Sequence, residues 1–290
     1  MTLPKIDSTV TYPLGSTTSL STVLHRETLD DGREVILLDT TACHPVDFAW
    51  PDQPSDRAVI AHDGRETAVL DCVVAASDGT RLFVGRDVPV KKGTQGWAFV
   101  AAHIVGPGSG LTEGALVEVL VDAAYRRNLS AGHSACHLAS LALNEQLAPS
   151  WRKDVSTDAA GSPNFDAFAI ESSTIIENGS VDIYRIGKSL RKRGFSPELL
   201  VDQRESIESA INSRLGEWVA SGAPIHIESD GQLLTGRREW HCALPGGEVS
   251  IPCGGTHLTS LAEVSSVRVT LTLDEADGAL ILQMNTTASR

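Results

Sequence analysis

Hydrophobic residues in the first third of the chain fall into short runs between turn-forming residues, a pattern typical of β-strands. Residues 34–39 form one such run, and residues 68–74 and 81–84 form two more on either side of Asp78-Gly79. An Asp-Gly pair between two apolar runs is typical of a hairpin turn. Several short strands joined by such turns predict a small β-barrel, which we assign to residues 1–95.

The pattern changes after a stretch rich in glycine and proline, residues 89–114, which has no long periodicity. The Ala- and Leu-rich residues 125–146 predict one long helix, and apolar residues at helical spacing predict a second over residues 197–222. Strict alternation over residues 267–273 predicts a strand of an antiparallel sheet. We therefore expect an α+β fold in which residues 96–290 form an antiparallel-sheet domain with two main helices.

Composition indicates an ordinary globular protein, because 41% of the 290 residues are hydrophobic and 21% are charged. No apolar run approaches the ~18 residues of a membrane span, and the start of the chain lacks the apolar core of a signal peptide. The 5 cysteines are odd in number and scattered. We therefore expect a cytoplasmic protein with reduced thiols and no membrane partner.

The formal net charge of −13 argues against tight, indiscriminate binding to nucleic acid, because phosphate contacts dominate such binding. A local basic patch can still act within an acidic protein. The densest positive cluster is either a solvated helix face or a contact for a nucleic-acid backbone, and it comprises Arg185, Lys188, Arg191, Lys192 and Arg193. The chain has no glycine-rich nucleotide-binding loop, so we expect no dinucleotide cofactor.

Two short motifs carry the candidate chemistry. His133 and His137 lie four residues apart within the first predicted helix, so both imidazoles fall on one helix face. Cys253 and His257 have the same spacing around Gly254-Gly255, a pair that allows a tight turn. Two helical histidines alone are more often ordinary surface or core residues. Because zinc prefers imidazole nitrogen and thiolate sulfur, the two motifs together predict one shared zinc site.

These motifs resemble the paired metal motifs of the alanyl-tRNA synthetase editing domain. The same domain occurs in free-standing, AlaX-type trans-editing proteins, and a related one occurs in threonyl-tRNA synthetase. Three segments carry the resemblance: Val121–Arg127, Gly132–Leu138 and Pro252–Leu258. In addition, Gln53-Pro54-Ser55-Asp56-Arg57 resembles the end of the family's glycine-rich motif, although residues 46–52 stand in place of its glycines.

The resemblance implies a metal-dependent hydrolase that removes the wrong amino acid from tRNA without ATP. The expected substrate is seryl-tRNA, and more weakly glycyl-tRNA, made by the alanine enzyme. Water activated by the metal would attack the ester, so no protein nucleophile is predicted. In an alternative mechanism, the metal only orders the pocket and the ribose hydroxyl of the tRNA assists the water. Gln53 and Asp56 are expected in a loop over the active site, and Thr256 joins them as a substrate contact because of its place between metal ligands. The basic cluster is the candidate tRNA contact.

Two alternatives differ in what the metal does. Four protein ligands usually mark a closed structural zinc site, whereas catalytic sites keep one position open. A binding module for aminoacyl groups or tRNA with a purely structural zinc therefore remains the alternative to the hydrolase. A zinc protease is disfavoured because Ser134 occupies the place of its catalytic Glu. Since 290 residues leave no room for a synthetase ATP-binding core beside both domains, we expect action in trans.

Overall fold

The computed structural model describes residues 3–290, which contain sixteen strands and four α-helices. The strands are β1 (Thr9–Val10), β2 (Thr18–Thr28), β3 (Glu34–Leu38), β4 (Thr40–Thr41), β5 (Ala58–His62), β6 (Arg65–Ser77), β7 (Leu82–Val84), β8 (Ala98–Val105), β9 (Leu116–Val121), β10 (Ile170–Ile176), β11 (Gly179–Ile186), β12 (Ile225–Ser229), β13 (Arg238–Leu244), β14 (Gly247–Pro252), β15 (Ser266–Ala276) and β16 (Ala279–Ser289). The helices are α1 (Ala123–Leu147), α2 (Phe165–Ala169), α3 (Lys188–Lys192) and α4 (Glu198–Ser221). Within the described residues, no helix combines the length and the apolar character that crossing a bilayer requires.

The chain divides into two compact units, each assembled from separate segments. The first unit comprises the residues up to Arg126, with Ile227–Arg238 and Gly254–Thr256. The second unit comprises Arg127–His226, Glu239–Cys253 and His257–Arg290. Helices and mostly antiparallel sheets are combined in one chain, so the predicted α+β class is confirmed.

A seven-stranded sheet dominates the first unit, in the order β5-β9-β2-β3-β8-β6-β7, and β5 also pairs with β6. Strand β3 shows how this sheet is buried on both faces. Ile36 and Leu38 pack in one apolar cluster, whereas Val35 and Leu37 pack in another. Because successive side chains of a strand point to opposite faces, burial of both faces requires the continuous apolar run seen in the sequence.

The division between the units lies further along the chain than the predicted boundary near residue 95. Strands β8 and β9 both follow that boundary, yet they pair with β3, β6, β2 and β5 of the first sheet. Every residue of β8 is buried. The stretch rich in glycine and proline therefore contains β8 itself and the connections on either side of it, and it is not a linker between domains.

The second unit is built on a four-stranded antiparallel sheet in the order β10-β11-β16-β15. Strand β15 lies at the edge of this sheet, and polar side chains of helix α4 hydrogen-bond to its backbone. Asn212 exchanges two hydrogen bonds with the backbone of Val269, at 2.8 and 3.0 Å, and the Glu208 carboxylate accepts one from the Leu271 N–H at 2.7 Å. These bonds satisfy backbone groups that an edge strand leaves unpaired. Helix α4 is kinked at Gln203, where φ is −127°.

Helix α1 begins and is positioned by two small features. The Asp122 carboxylate accepts hydrogen bonds from the N–H groups of Ala124 and Tyr125, both at 3.0 Å, and so caps the first turn. A Cβ atom at Gly132 would lie 2.5 Å from the carbonyl oxygens of both Ile176 and Gly179. Only glycine lets the helix approach the β10–β11 turn this closely, and this contact comes one residue before His133.

Candidate metal centre

The four predicted metal ligands converge within the second unit. Their donor atoms all lie within 4.8 Å of one another. His133 and His137 occupy successive turns of α1, while Cys253 and His257 follow the end of β14. The Cys253 Sγ lies 3.4 Å from the His133 Nε2 and 3.2 Å from the His257 Nε2. The structure therefore brings together side chains that are more than one hundred residues apart in sequence.

His137 supplies the observation that separates a metal site from an ordinary polar cluster. Its Nε2 is buried and has no hydrogen-bond partner among the described residues. Its ring packs against Trp240, with 5.0 Å between ring centroids. Burial lowers the pKa of His137 to about 4, so the imidazole is neutral at physiological pH. A neutral, buried nitrogen without a partner is costly unless something coordinates it.

The donor set and its spacing fit a zinc ion. Zinc bonds of ~2.0–2.1 Å to nitrogen and ~2.3 Å to sulfur in a tetrahedron separate neighbouring donors by roughly 3.3–3.7 Å. The two distances from Cys253 to the histidine nitrogens, 3.2 and 3.4 Å, are close to this range. Three imidazoles and one thiolate also bind zinc in preference to magnesium or calcium, which prefer oxygen ligands. His133, His137, Cys253 and His257 would therefore hold the ion.

Ser134 orients one of these ligands. Its Oγ lies 3.3 Å from the Nδ1 of His257 and accepts a hydrogen bond from the Leu258 N–H at 3.1 Å. A partner on the second ring nitrogen fixes the direction of a metal-binding imidazole. In the sequence, Ser134 served only as evidence against a protease. Its position beside His133 gave no indication of this contact, because the partner lies on a distant segment.

Gln53 and Thr256, two of the predicted substrate residues, contact each other within the first unit. The Gln53 side chain donates from Nε2 to the Thr256 Oγ1 at 2.9 Å and accepts from the Thr256 N–H at 3.0 Å. Both residues are buried. The two hydrogen bonds hold the Thr256 backbone and side chain, and Thr256 directly precedes His257 in the chain.

Asp56, the third predicted substrate residue, is fully engaged by protein groups. Its side chain is 0% exposed and pairs with the Arg126 guanidinium, whose Nε donates to it at 2.7 Å. The second carboxylate oxygen accepts from the His44 N–H at 2.6 Å and also contacts Arg126 Nη2. The geometry therefore favours a structural role for Asp56, which fixes the loop that carries Gln53.

The predicted basic cluster lies at and around the short helix α3. Four of its members are exposed: Lys188, Arg191, Lys192 and Arg193. Arg185 is less available, because it is partly buried and its guanidinium lies 4.0 Å from the carboxylate of Glu171. The guanidinium of Arg193 lies over the ring of Phe168, 4.9 Å from its centroid.

Two further cations, which the sequence did not predict, lie beside this cluster. The backbone N–H of Arg152 donates to the Gly194 carbonyl at 2.9 Å, and the Lys153 Nζ donates to the Lys192 carbonyl at 3.0 Å. Both side chains are exposed. They were missed because they lie about forty residues earlier in the chain, in a stretch with no charge run of its own. The exposed cluster is thus larger than the sequence run alone.

A scan against models of known protein families matches none of them.

Proposed function

We propose that this protein is a metal-dependent hydrolase that deacylates mischarged tRNA in trans, with seryl-tRNA of the alanine type as its preferred substrate. The observation that carries the proposal is the convergence of His133, His137, Cys253 and His257, because the buried Nε2 of His137 has no hydrogen-bond partner within residues 3–290. The resemblance of both motifs to the editing family supplies the substrate class. The small barrel that the family implies is supported by the pairing of β5 with both β9 and β6.

The chain's own residues would bind and orient, and the metal would supply the reactivity. When bound, zinc acts as a Lewis acid toward the ester carbonyl and lowers the pKa of water toward neutrality. Ser134 would keep the His257 ring directed at the site. Gln53 would hold Thr256 in place through its two hydrogen bonds. The exposed cations around α3 would contact phosphates of the tRNA backbone.

Discrimination between seryl and alanyl esters would rest on hydrogen bonding. A pocket built around the serine hydroxyl leaves buried polar groups unpaired when alanine enters, and such a mismatch discriminates strongly. Glycyl ester is a weaker substrate in this proposal, because glycine has no hydroxyl and would enter by its small size alone.

The second candidate function is a binding module with a structural zinc. It is favoured by the number of protein ligands, because four ligands usually close a zinc site to water and substrate. Such a protein would bind aminoacyl groups or tRNA without cleaving the ester. In the hydrolase, one ligand would have to yield its position or the coordination number would have to rise.

Deacylation assays distinguish the two functions. Purified protein is incubated with seryl-, glycyl- and alanyl-tRNA, all carried on the alanine tRNA, with and without a chelator. The hydrolase should cleave seryl-tRNA fastest and lose this activity in chelator. Equal rates on seryl and alanyl esters would contradict the selectivity. No cleavage of any ester by the zinc-loaded protein would favour the binding module instead.

A further inference from the structure

A second group of metal-binding side chains lies on the surface of the second unit, and it shares no residue with the centre described above. His226 lies on β12, His241 on β13 and Glu248 on β14. Their donor atoms all lie within 4.8 Å of one another. His226 and Glu248 are exposed, and His241 is half-buried. His226 and Glu248 therefore stand where an ion can reach them from solvent, and the side chain of His241, which is 14% exposed, lies within 4.8 Å of both donor atoms.

Strand pairing explains why these side chains share one face. In the hairpin of β13 and β14, Ala243 stands opposite Glu248 and His241 stands opposite Ser250. Because side chains alternate between faces, His241 and Glu248 are diagonal neighbours on the same face. The Ala243 N–H donates to the Pro224 carbonyl at 3.2 Å, which places the start of β12 beside β13.

The two histidines are stacked, and carboxylates surround them. The rings of His226 and His241 lie 4.7 Å apart between centroids, with an interplanar angle of 16°. The Nδ1 of His241 is 3.9 Å from the Glu248 carboxylate, and its Nε2 is 3.8 Å from the Glu239 carboxylate. These distances are too long for hydrogen bonds, so the carboxylates act on the rings through charge. One shared cation would use a nitrogen of each imidazole together with the Glu248 carboxylate.

We propose that His226, His241 and Glu248 form a second binding site, specific for a divalent transition-metal ion. Two imidazole nitrogens and one carboxylate oxygen suit Zn²⁺, Co²⁺ or Ni²⁺, whereas Mg²⁺ and Ca²⁺ require more oxygen ligands. Three protein ligands leave positions on the ion open to water or to an anionic group. Glu239, beside His241, adds negative charge that favours any cation at this face.

Counting cobalt equivalents tests this site independently of the first. Chelator-treated, full-length protein is titrated with Co²⁺ by calorimetry and by absorption spectroscopy. Cys253 is the single sulfur donor at either site, so the thiolate-to-cobalt charge-transfer band follows the first site alone, whereas calorimetry counts both. The wild-type protein should bind two equivalents, and one of them should produce the band.

The variants assign each equivalent. The double variant His226→Ala, His241→Ala should bind one equivalent with an unchanged band, and the matched control His62→Ala should still bind two. Glu248→Gln, which preserves side-chain shape, should weaken the second equivalent by at least about tenfold, since even outer-shell losses cost that much. Circular dichroism checks that each variant is folded. A wild-type protein that binds one equivalent, or Glu248→Gln with unchanged affinity for both, would overturn the proposal.

Discussion

Two groups of cysteine and histidine in this protein contain the same residue types but differ in whether their histidine nitrogens have hydrogen-bond partners. At the first centre, the His137 Nε2 is buried with no partner among the described residues. In the core of the first unit, Cys43, Cys72 and His103 also lie with their donor atoms within 4.8 Å of one another. There, His103 donates from Nδ1 to the Ile36 carbonyl at 3.2 Å and has the Thr41 hydroxyl at 2.9 Å from Nε2.

In the group of Cys43, Cys72 and His103, both ring nitrogens of the histidine already have hydrogen-bond partners. Since the Ile36 carbonyl only accepts, His103 carries its proton on Nδ1 and accepts from Thr41 at Nε2. Burial lowers the pKa of His103 to about 4, which keeps this neutral form. Burial also raises the pKa of the Cys72 thiol well above its ordinary value, so the thiolate that zinc requires is disfavoured. Nearby donors therefore mark a metal site only when their hydrogen bonding is incomplete.

The largest expected effect is the loss of zinc and of activity on replacing the cysteine of the first centre, compared with a cysteine of the other group. Cys253→Ala should lose zinc from the first centre and slow deacylation of seryl-tRNA by at least about a hundredfold, because losing a direct ligand costs more than losing its outer-shell partner. The matched control Cys72→Ala should keep the metal and the rate. It should lower the free energy of unfolding by only about 1 kcal/mol. Metal analysis and deacylation rates measure both, and wild-type-like hydrolysis by Cys253→Ala would remove the metal from the mechanism.

The histidines of the two groups should differ in stability rather than in activity. In chelator, His103→Ala should lower the free energy of unfolding by about 2–4 kcal/mol, because it leaves a cavity and unsatisfied buried partners. His137→Ala leaves a cavity but removes no hydrogen bond at Nε2, so it should cost less under the same conditions. Adding zinc should stabilise the wild-type protein and His103→Ala but not His137→Ala, because zinc stabilises only a protein that binds it. The losses in the free energy of unfolding caused by the two substitutions should then become more similar. Urea denaturation gives these values, and a larger loss for His137→Ala in chelator would contradict the distinction.

The buried carboxyl group of Asp166 extends the comparison to an acidic side chain. The Tyr184 hydroxyl donates to Asp166 at 2.9 Å, yet burial outweighs this bond and raises the pKa of Asp166 to about 6, with Asp182 and Asp158 adding to the rise. Between pH ~4 and ~6 the unfolded chain has released this proton while the folded protein retains it. The free energy of unfolding should therefore fall as pH rises through this window, by up to about 3 kcal/mol.

The variant Asp166→Asn tests this contribution because it keeps the shape and cannot titrate. Urea denaturation across the window, in chelator throughout, should show a flatter pH dependence for Asp166→Asn than for the wild-type protein. The exposed Asp63 provides a control, since its side chain is 89% exposed and Asp63→Asn should leave the profile unchanged. A wild-type profile in Asp166→Asn would show that the buried carboxylate does not titrate in this range.

The smallest expected effect concerns exposed cations. Neutralising Lys188, Arg191 and Lys192 together should weaken tRNA binding. It should also reduce the magnitude of the slope of log affinity against log salt concentration by about two to three, because fewer phosphate contacts release fewer counterions on binding. The matched control removes the same charge from three exposed cations of the first unit: Lys5, Lys91 and Arg237. Fluorescence anisotropy over a salt series measures both slopes. Equal slopes in the two triple variants would identify the cluster as an ordinary solvated surface.

The metal ligands could be predicted from sequence because each pair has a spacing with a geometric meaning. Four residues bring His133 and His137 onto one face of a helix, and the spacing repeats in Cys253 and His257. The α+β class and the strands β3, β6, β7 and β15 followed from the apolar pattern in the same way. In physical terms, these features depend on neighbours close in the chain.

Features that depend on distant segments could not be predicted. Ser134 contacts a ligand 123 residues away, and Asp56 pairs with Arg126 across 70 residues. The position of the unit boundary depends on the pairing of β8 and β9 with earlier strands, which glycine and proline content does not reveal. Long-range partners also distinguish the Cys43 group from the first centre, since its His103 is satisfied by residues of other strands.

X-ray absorption at the zinc edge, on protein loaded with a single equivalent, tests the central distinction most directly. If His133, His137, Cys253 and His257 hold the ion, the spectrum will show one sulfur neighbour at about 2.3 Å and three nitrogen neighbours at about 2.0–2.1 Å. Two sulfur neighbours would place the zinc at Cys43 and Cys72 and contradict the argument from hydrogen bonding. A shell of nitrogen and oxygen alone would contradict coordination by Cys253.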